Sequence, residues 1–438
     1  MSEWASAHPR QQYPHVAMSL RWVRTTNRAD TVHVVAQRAE ARTQGAAAVD
    51  AARRCWRNTA QRRGLAIAAV LLAVSCGTGA AADADAERHG AGAPDADPDA
   101  SRHASPLAPV PVGATQDADL LQTVQSRGVL NCGVYGAAVA FSETQPDGST
   151  TGFDADYCRA LAIVMLGDAD AVRFVPLTSA ERFTALQTGL IDVLVRNTTW
   201  TQSRDGDLGF DFAPVTFYDG QQLMGRVSDG FTAASTVADI AGARVCATAG
   251  TTTEKNIADA ADAAGVEIKL ATYEDLDITT DSFVNGTCDL MTTDGSGLVG
   301  RKARQQGDQQ WVIFPSAPFS KEPLAPVYVR NQSTFGDIVN WTIYATIIFD
   351  EKGITSRNVD DLLGAGELDA EAVRLLGGEG ELQTKMGVAA DAFYEVVRQV
   401  GNYDEIYARN LAPVGLQRAG TPNARWTQGG LIYAPPAR

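Results

Sequence analysis

The sequence predicts an α/β fold in two similar lobes, each built on a mainly parallel sheet, with two extended segments joining them. Three observations lead there. From about Ala118 to Arg438, apolar runs of strand length alternate with helix-type patterns, which is the signature of a parallel sheet with crossover helices. A second stretch of chain repeats the logic of the first. Two extended segments, Asp219–Val227 and Leu324–Arg330, the second flanked and interrupted by Pro323 and Pro326, separate the two stretches.

In chain order, Leu130–Val134 reads as a strand, and Phe153–Met165 as a helix with Tyr157, Leu161 and Val164 on one face. Val172–Pro176 is a second strand. Thr178–Thr188 is expected to be a helix, opened by Thr178-x-x-Glu181 and closed before Gly189. The near-continuous apolar run Ile191–Val195 fits a strand covered on both faces. In the second unit Ala243–Thr248 is a strand, Gly250–Glu254 opens a helix, a helix ends with Asp281–Asn285 at Gly286, and Asp289–Thr292 is a strand. Setting Gly189 on Gly286 aligns GLIDVLVRN with GTCDLMTTD, so that Asp192 falls on Asp289 and Asn197 on Asp294. Each lobe would then present a polar residue at the C-terminal end of a strand, the edge at which open parallel sheets bind ligands. After the second crossing, Phe335–Phe349 and Val388–Val400 read as amphipathic helices returning to the first lobe. The resulting division is 118–220 with 329–438 for one lobe and 228–323 for the other.

The first 117 residues differ in kind. The chain carries a net charge of −15, yet residues 1–75 hold eleven Arg, no Lys and four acidic residues. Arg53, Arg54, Arg57, Arg62 and Arg63 precede the apolar run Gly64–Val74 and then Ser75-Cys76-Gly77, the order of a secretory signal over 53–76. The apolar run is too short to cross a bilayer as a helix. Val74-Ser75-Cys76 resembles a lipobox, with Cys76 as the residue to be lipidated, although Ala73 stands where Leu is usual. Residues 1–52 are read as an N-terminal extension or an over-long start assignment. The Ala-, Asp-, Pro- and Gly-rich stretch 77–117 cannot bury enough surface to fold and is read as a tether.

Composition narrows the chemistry. So acidic a chain does not suit a nucleic-acid partner, because phosphate backbones need clustered cations. All five histidines (His8, His15, His33, His89 and His103) precede the globular region, which argues against Ser-His-Asp and Cys-His catalysis and histidine-ligated metals there. No CxxC pair or nucleotide-binding glycine motif stands in a suitable context. No metal or cofactor is expected. Cys132, Cys158, Cys246 and Cys288 form an even set in a chain marked for export, so disulfides are expected; three pairings are open, and local spacing favours 132–158 and 246–288.

The residues that remain suit a zwitterion. Its carboxylate and ammonium are both costly to desolvate unless paired. The run LVRNTTWTQSRD (194–205) supplies an arginine for a bidentate grip on a carboxylate, together with hydroxyls. The threonine-rich helix start at Gly250–Glu254 adds donors and a favourable dipole, and Thr293-Asp294 supplies an acid for the ammonium. Each piece also has a plainer reading. Arg204 would pair with Asp205 or Asp207 on the surface, Asp294 would be a turn residue before Gly295, and threonines 251–253 would be helix caps.

Taken together, the segments RGVLNCGV (127–134), GFDADYCRALA (152–162), RFTALQTGLIDVLVRNTTWTQSRD (182–205), TFYDGQ (216–221), GTTTE (250–254), TTDGSGL (292–298), KEPLAP (321–326), VGNYDEIYARN (400–410) and GGLIYAPPAR (429–438) resemble the extracytoplasmic solute-binding proteins of amino-acid ABC transporters. The resemblance covers essentially all of 118–438 and points to the general L-amino-acid-binding branch. It implies a type II periplasmic-binding-protein clam shell that closes on its ligand. Arg204 would clamp the α-carboxylate, helped by Thr199 and, from the opposite lobe, Thr252. Asp294 would take the α-ammonium, with Asn197 on the same rim. The loop YGAAVAF (135–141) carries small residues where single-substrate relatives place an aromatic lid, which fits a permissive pocket; Tyr135, Phe141 and Trp200 are the candidates for side-chain contacts. The cysteine pairs 132–158 and 246–288 look like those of this branch. The implied partners are a free L-amino acid, a permease with its separate ATPase, and the membrane through a lipid anchor, the protein itself being a monomer. An enzyme on the same fold, such as a dehydratase of a prephenate-like acid, and a ligand-sensing module are the competing readings.

Overall fold

The computed structural model of the protein describes residues 119–305, 310–378 and 380–438. The stretches read from sequence as an N-terminal extension (1–52), a secretory signal with Cys76 (53–76) and a tether (77–117) lie outside the described residues. Two five-stranded sheets carry the fold. The first runs in the order Val172–Pro176, Leu130–Val134, Val193–Leu194, Val327–Val329, Phe210–Phe212; the second in the order Lys269–Tyr273, Arg244–Thr248, Leu290–Asp294, Gln221–Arg226, Trp311–Phe314. In each sheet the first three strands are parallel and the fourth runs against its neighbours on both sides.

The reversed strand has a simple cause. Gln221–Arg226 enters the second sheet directly from the crossing, and Val327–Val329 enters the first sheet directly from the return crossing. The crossings sit at the C-terminal edges of the parallel strands, since Gln221 faces Asp294 and Val327 faces Leu194. A chain arriving at that edge can only run away from it. The sheets are therefore mixed where the alternation pattern predicts mainly parallel ones.

The repeat between the lobes is built in register. Asp192 receives the Asn131 N–H at 2.7 Å and donates its own N–H to the Asn131 carbonyl at 2.9 Å. Asp289 does the same with Arg244, at 2.8 and 2.9 Å. Both aspartates thus lock the third parallel strand to the second, its neighbour in the sheet, and the next residues of each strand are aimed at the same edge. The Thr178–Thr188 helix is shorter than its pattern, covering Arg182–Gln187, because Thr178 and Glu181 form their reciprocal hydrogen bonds in the turn before it. Helix Thr252–Ala264 opens on Thr251, whose hydroxyl accepts from the Glu254 N–H.

Around the first sheet, helices Phe153–Leu166, Ser333–Glu351, Ala392–Gln399 and Tyr403–Asn410 share one core. Phe141, Phe153, Tyr157, Phe217, Tyr403 and Tyr407 form a ring cluster within it, mostly edge-to-face, with Phe217 stacked on Tyr407. Cys132–Cys158 ties strand Leu130–Val134 to helix Phe153–Leu166, and Cys246–Cys288 ties strand Arg244–Thr248 to the turn before strand Leu290–Asp294, in the pairing favoured by spacing. Among the described residues no helix is long and apolar enough to cross a membrane.

Candidate functional site

Between the sheets lies a cavity of about 70 Å³ walled by residues of both lobes. At roughly 10–15 Å³ of such space per water, it holds several waters or a small molecule. The polar run after Leu194 builds one wall. Asn197 turns the chain with a φ of 41°, its N–H donating to the buried Asp154 carboxylate at 3.1 Å. The run is then zipped to the return crossing: Trp200 N–H donates to the Pro323 carbonyl at 2.8 Å, and Ala325 N–H to the Thr198 carbonyl at 3.1 Å. Thr201 caps the short helix Gln202–Gly206, which places Arg204 facing inward, buried, with Nη1 donating to the Thr199 carbonyl at 2.8 Å.

Two further arginines share that wall. Arg182 is 3% exposed, reaches the Gly250 carbonyl at 3.4 Å, and leaves its Nε without a partner. Arg196 donates to the Leu177 carbonyl at 2.8 Å and to Ser179 Oγ at 3.2 Å, with its guanidinium 4.2 Å from the centre of the Tyr135 ring. Burial pulls the Arg196 pKa down to about 10 and lowers that of Arg204; Arg182 is depressed by burial and then by its two arginine neighbours. Among the described residues none of the three is ion-paired. The plainer reading of Arg204 does not hold, because Asp205 accepts instead from Trp200 Nε1 at 3.1 Å and from Arg330.

The opposite wall carries one carboxylate, Asp294, with Asp219 and Glu322 near it but not lining the cavity. Asp294 ends its strand with Oδ1 buried and unpartnered, and burial, then Asp219, then Glu322, hold its pKa well above the usual carboxylate range. Asp219, in the first crossing, accepts from the Gly220 and Ser296 N–H groups at 2.8 and 3.3 Å, and burial raises its pKa to about 6. Glu322, in the return crossing, accepts from Thr199 Oγ1 at 2.6 Å, Thr252 Oγ1 at 2.9 Å, Asn256 Nδ2 at 2.7 Å and Ser320 Oγ at 2.7 Å.

Of the residues singled out by sequence, the structure brings Arg204, Thr199, Asn197, Thr252, Asp294, Tyr135 and Phe141 to the cavity. Two expectations need correction. Trp200 is 41% exposed, stacked on Phe212 and turned away from the cavity. A hydroxyl has one proton to donate, and those of Thr199 and Thr252 are both directed at Glu322, so in this arrangement neither serves a carboxylate in the cavity. Phe141 is a cavity wall that belongs mainly to the ring cluster, and the Tyr135 hydroxyl accepts the Leu276 N–H of the other lobe at 2.8 Å. Arg182, Asp219 and Glu322 went unrecognised. The signal for the two acids is a lone carboxylate at each crossing, Asp219 opening the first segment and Glu322 two residues before the second; Arg182 sits in an ordinary amphipathic helix pattern that gives no warning.

What results is a cavity with three buried arginines outside any ion pair on one wall and the incompletely partnered Asp294 on the other, where Arg301, ion-paired with Asp277, also lines it. Isolated buried charges cost several kcal/mol each unless something completes them. A small molecule bearing a carboxylate and an ammonium a few ångströms apart would satisfy both walls at once.

A sequence profile of the bacterial extracellular solute-binding proteins, family 3, matches residues 130–411. The chain is 40% identical to the general L-amino acid-binding periplasmic protein AapJ of Rhizobium johnstonii, over 75% of this chain and 95% of that one. It is 41% identical to the glutamate/glutamine/aspartate/asparagine-binding protein BztA of Rhodobacter capsulatus, over 75% and 96%. Among solved structures, a periplasmic binding protein of an ABC transporter from Brucella ovis, with glutathione bound, is 39% identical with a TM-score of 0.69, covering 73% of this chain and all of that one.

Proposed function

From the premise that this chain belongs to the bacterial extracellular solute-binding proteins, family 3, we propose that it captures free L-amino acids outside the cytoplasm and delivers them to an ABC-transporter permease driven by a separate ATPase. The observation that carries the reading is the pair of facing, unpaired charge sets across the cavity. Arg204 holds the α-carboxylate with the N–H groups it does not spend on Thr199. Asp294, with Asp219 behind it, holds the α-ammonium, and Asn197 borders both. The threonine pair acts one step back, fixing Glu322 and with it the return crossing.

The side-chain end of the ligand lies toward Arg182, Arg196 and Ser179. That surface favours side chains that accept hydrogen bonds, carboxylates and amides first, in keeping with the ligands in the name of the Rhodobacter relative. The small residues of Ala137–Ala140 keep the pocket permissive. A bound ligand touches both lobes, so it stabilises the closed state by the contacts it makes only there. The lobe assignment 118–220 with 329–438 against 228–323 follows the two crossings. Calorimetric titration of the full chain with the common amino acids, and with prephenate as the enzymatic alternative, tests the reading: micromolar or tighter binding of several L-amino acids supports it, and heat from none of them refutes it.

Anchoring is a separate part of the proposal. Cys76 carries a lipid that holds the protein, as a monomer, at a membrane surface. Cys76→Ser then shifts it to the soluble fraction or blocks processing; an unchanged membrane fraction rules lipidation out.

A further inference from the structure

The C-terminal segment after Leu411 lies beyond the residues matched by the family profile, and it is docked on the hinge. The hinge is a two-stranded antiparallel ribbon of Phe217–Asp219 and Glu322–Leu324, in which Tyr218 faces Pro323. Proline has no N–H, and its carbonyl is taken by Trp200 on the far side. The N–H and carbonyl of Tyr218 therefore point out of the ribbon, where an edge strand would expose them. The buried side chain of Asn423 takes both: its Oδ1 accepts the Tyr218 N–H at 2.7 Å and its Nδ2 donates to the Tyr218 carbonyl at 3.0 Å. One side-chain amide thus stands in for a third strand.

Asn423 is itself fixed to the first lobe. Its carbonyl accepts from Arg418 Nε at 2.9 Å. Arg418 pairs at 2.7 Å with Asp350, which is fully buried on helix Ser333–Glu351, and at 2.7 Å with Asp404; Arg425 reaches the other oxygen of Asp350. Two residues before Tyr218, the Tyr403 hydroxyl donates to the Thr216 carbonyl at 2.8 Å. Beyond Tyr218 the chain changes allegiance at once. Asp219 accepts from the Ser296 N–H of the second lobe, and Gly220 passes so close to the return crossing that a Cβ there would lie 2.5 Å from Pro318 Cβ and 2.8 Å from the Ser320 carbonyl oxygen.

We infer that the segment Leu416–Arg438 is a hinge clamp, with Asn423 as the positioning residue that binds the Tyr218 peptide to the first lobe and confines bending to Asp219–Gly220 and the facing Ser320–Lys321. The clamp limits how far and how often the lobes part. Among the described residues no hydrogen bond or ion pair joins it to a residue lining the cavity, so it changes the affinity for every ligand by the same factor. This consequence rests on the closure reading proposed above, whereas the opening itself is measurable without any ligand.

The test is a distribution of interlobe distances in the full chain, between spin labels at the exposed Asp170 and Asp262. In ligand-free protein Asn423→Ala broadens the distribution toward longer distances; Asn423→Asp, which keeps the acceptor and loses the donor, lies between it and wild type. For amino acids that bind, dissociation accelerates several-fold with their ranking unchanged. A distance distribution identical to wild type, or a changed ranking, overturns the clamp even if the melting temperature falls. Amide exchange on the unmutated protein gives an independent reading: the Tyr218 N–H stays protected without ligand while that of Gly220 is protected only with it. Exchange of both at one rate in the ligand-free protein overturns the proposal as well.

Discussion

Arg204 and Asp294 face each other across the cavity without a partner strong enough to neutralise either, and this shapes what their removal does. An unpaired buried charge is a cost to the folded state, so deleting it is neutral or stabilising in the ligand-free protein. Arg204→Ala and Asp294→Asn each weaken amino-acid binding by at least about 30-fold, in line with the roughly 2–5 kcal/mol lost when one partner of a buried charge pair is truncated, while the melting temperature stays level or rises. Arg182→Met is predicted to raise the melting temperature and to cut affinity for acidic amino acids more than for the rest. The acids also set a pH dependence. Burial lifts the Asp219 pKa to about 6 and that of Asp294 well above its usual value, so the ligand-free cavity is partly protonated where free carboxylates are not. Because these folded-state values are raised above the unfolded ones, these two groups make the ligand-free fold more stable as pH falls through about 6. Receiving an ammonium requires the ionised forms, so binding releases a proton and affinity drops below pH about 6, by up to about tenfold per pH unit for one proton. Titrations in buffers of different ionisation enthalpy measure that release; affinity flat from pH 7.5 to 5 contradicts the assignment.

Elements explain what was legible in the sequence and what was not. Strand and helix periodicity located both sheets, and the alignment of Asp192 with Asp289 anticipated a true structural repeat, since each makes the same two-way exchange with its neighbouring strand. The polar run was legible because it interrupts an apolar pattern; Arg204 and Asn197 follow from it. Arg182 was not, because its helix satisfies the amphipathic pattern and only the tertiary fold turns that first turn toward the other lobe. Asp219 and Glu322 have no visible partner along the sequence, as they come together through the hinge pairing. Trp200 misled for the opposite reason: neighbours in sequence along a strand end point to opposite sides. The disulfides are an element-scale device. Cys246–Cys288 closes 42 residues of sequence and contributes about 3–4 kcal/mol on the chain-entropy model. Replacing both cysteines by serine lowers the denaturation midpoint accordingly and leaves the order of ligand affinities intact; a reordering would place the bridge in the site.

For the whole molecule, the two lobes form one device because the chain crosses between them twice and a carboxylate at each crossing backs the site, Asp219 beside Asp294 and Glu322 under Thr199 and Thr252. Closure, charge pairing and exclusion of water are then the same event: ligand that completes both walls removes the penalty that each wall bears alone. The measurement that tests this most directly is calorimetric titration of wild type, Arg204→Ala and Asp294→Asn with L-glutamate, L-glutamine, L-alanine and their amine-blocked and carboxyl-blocked forms. The account predicts tight binding of the free amino acids to wild type, loss of binding when either the ligand's charge or its partner residue is removed, and no turnover of prephenate. Undiminished binding of the blocked forms, or no binding of any free amino acid, would contradict it.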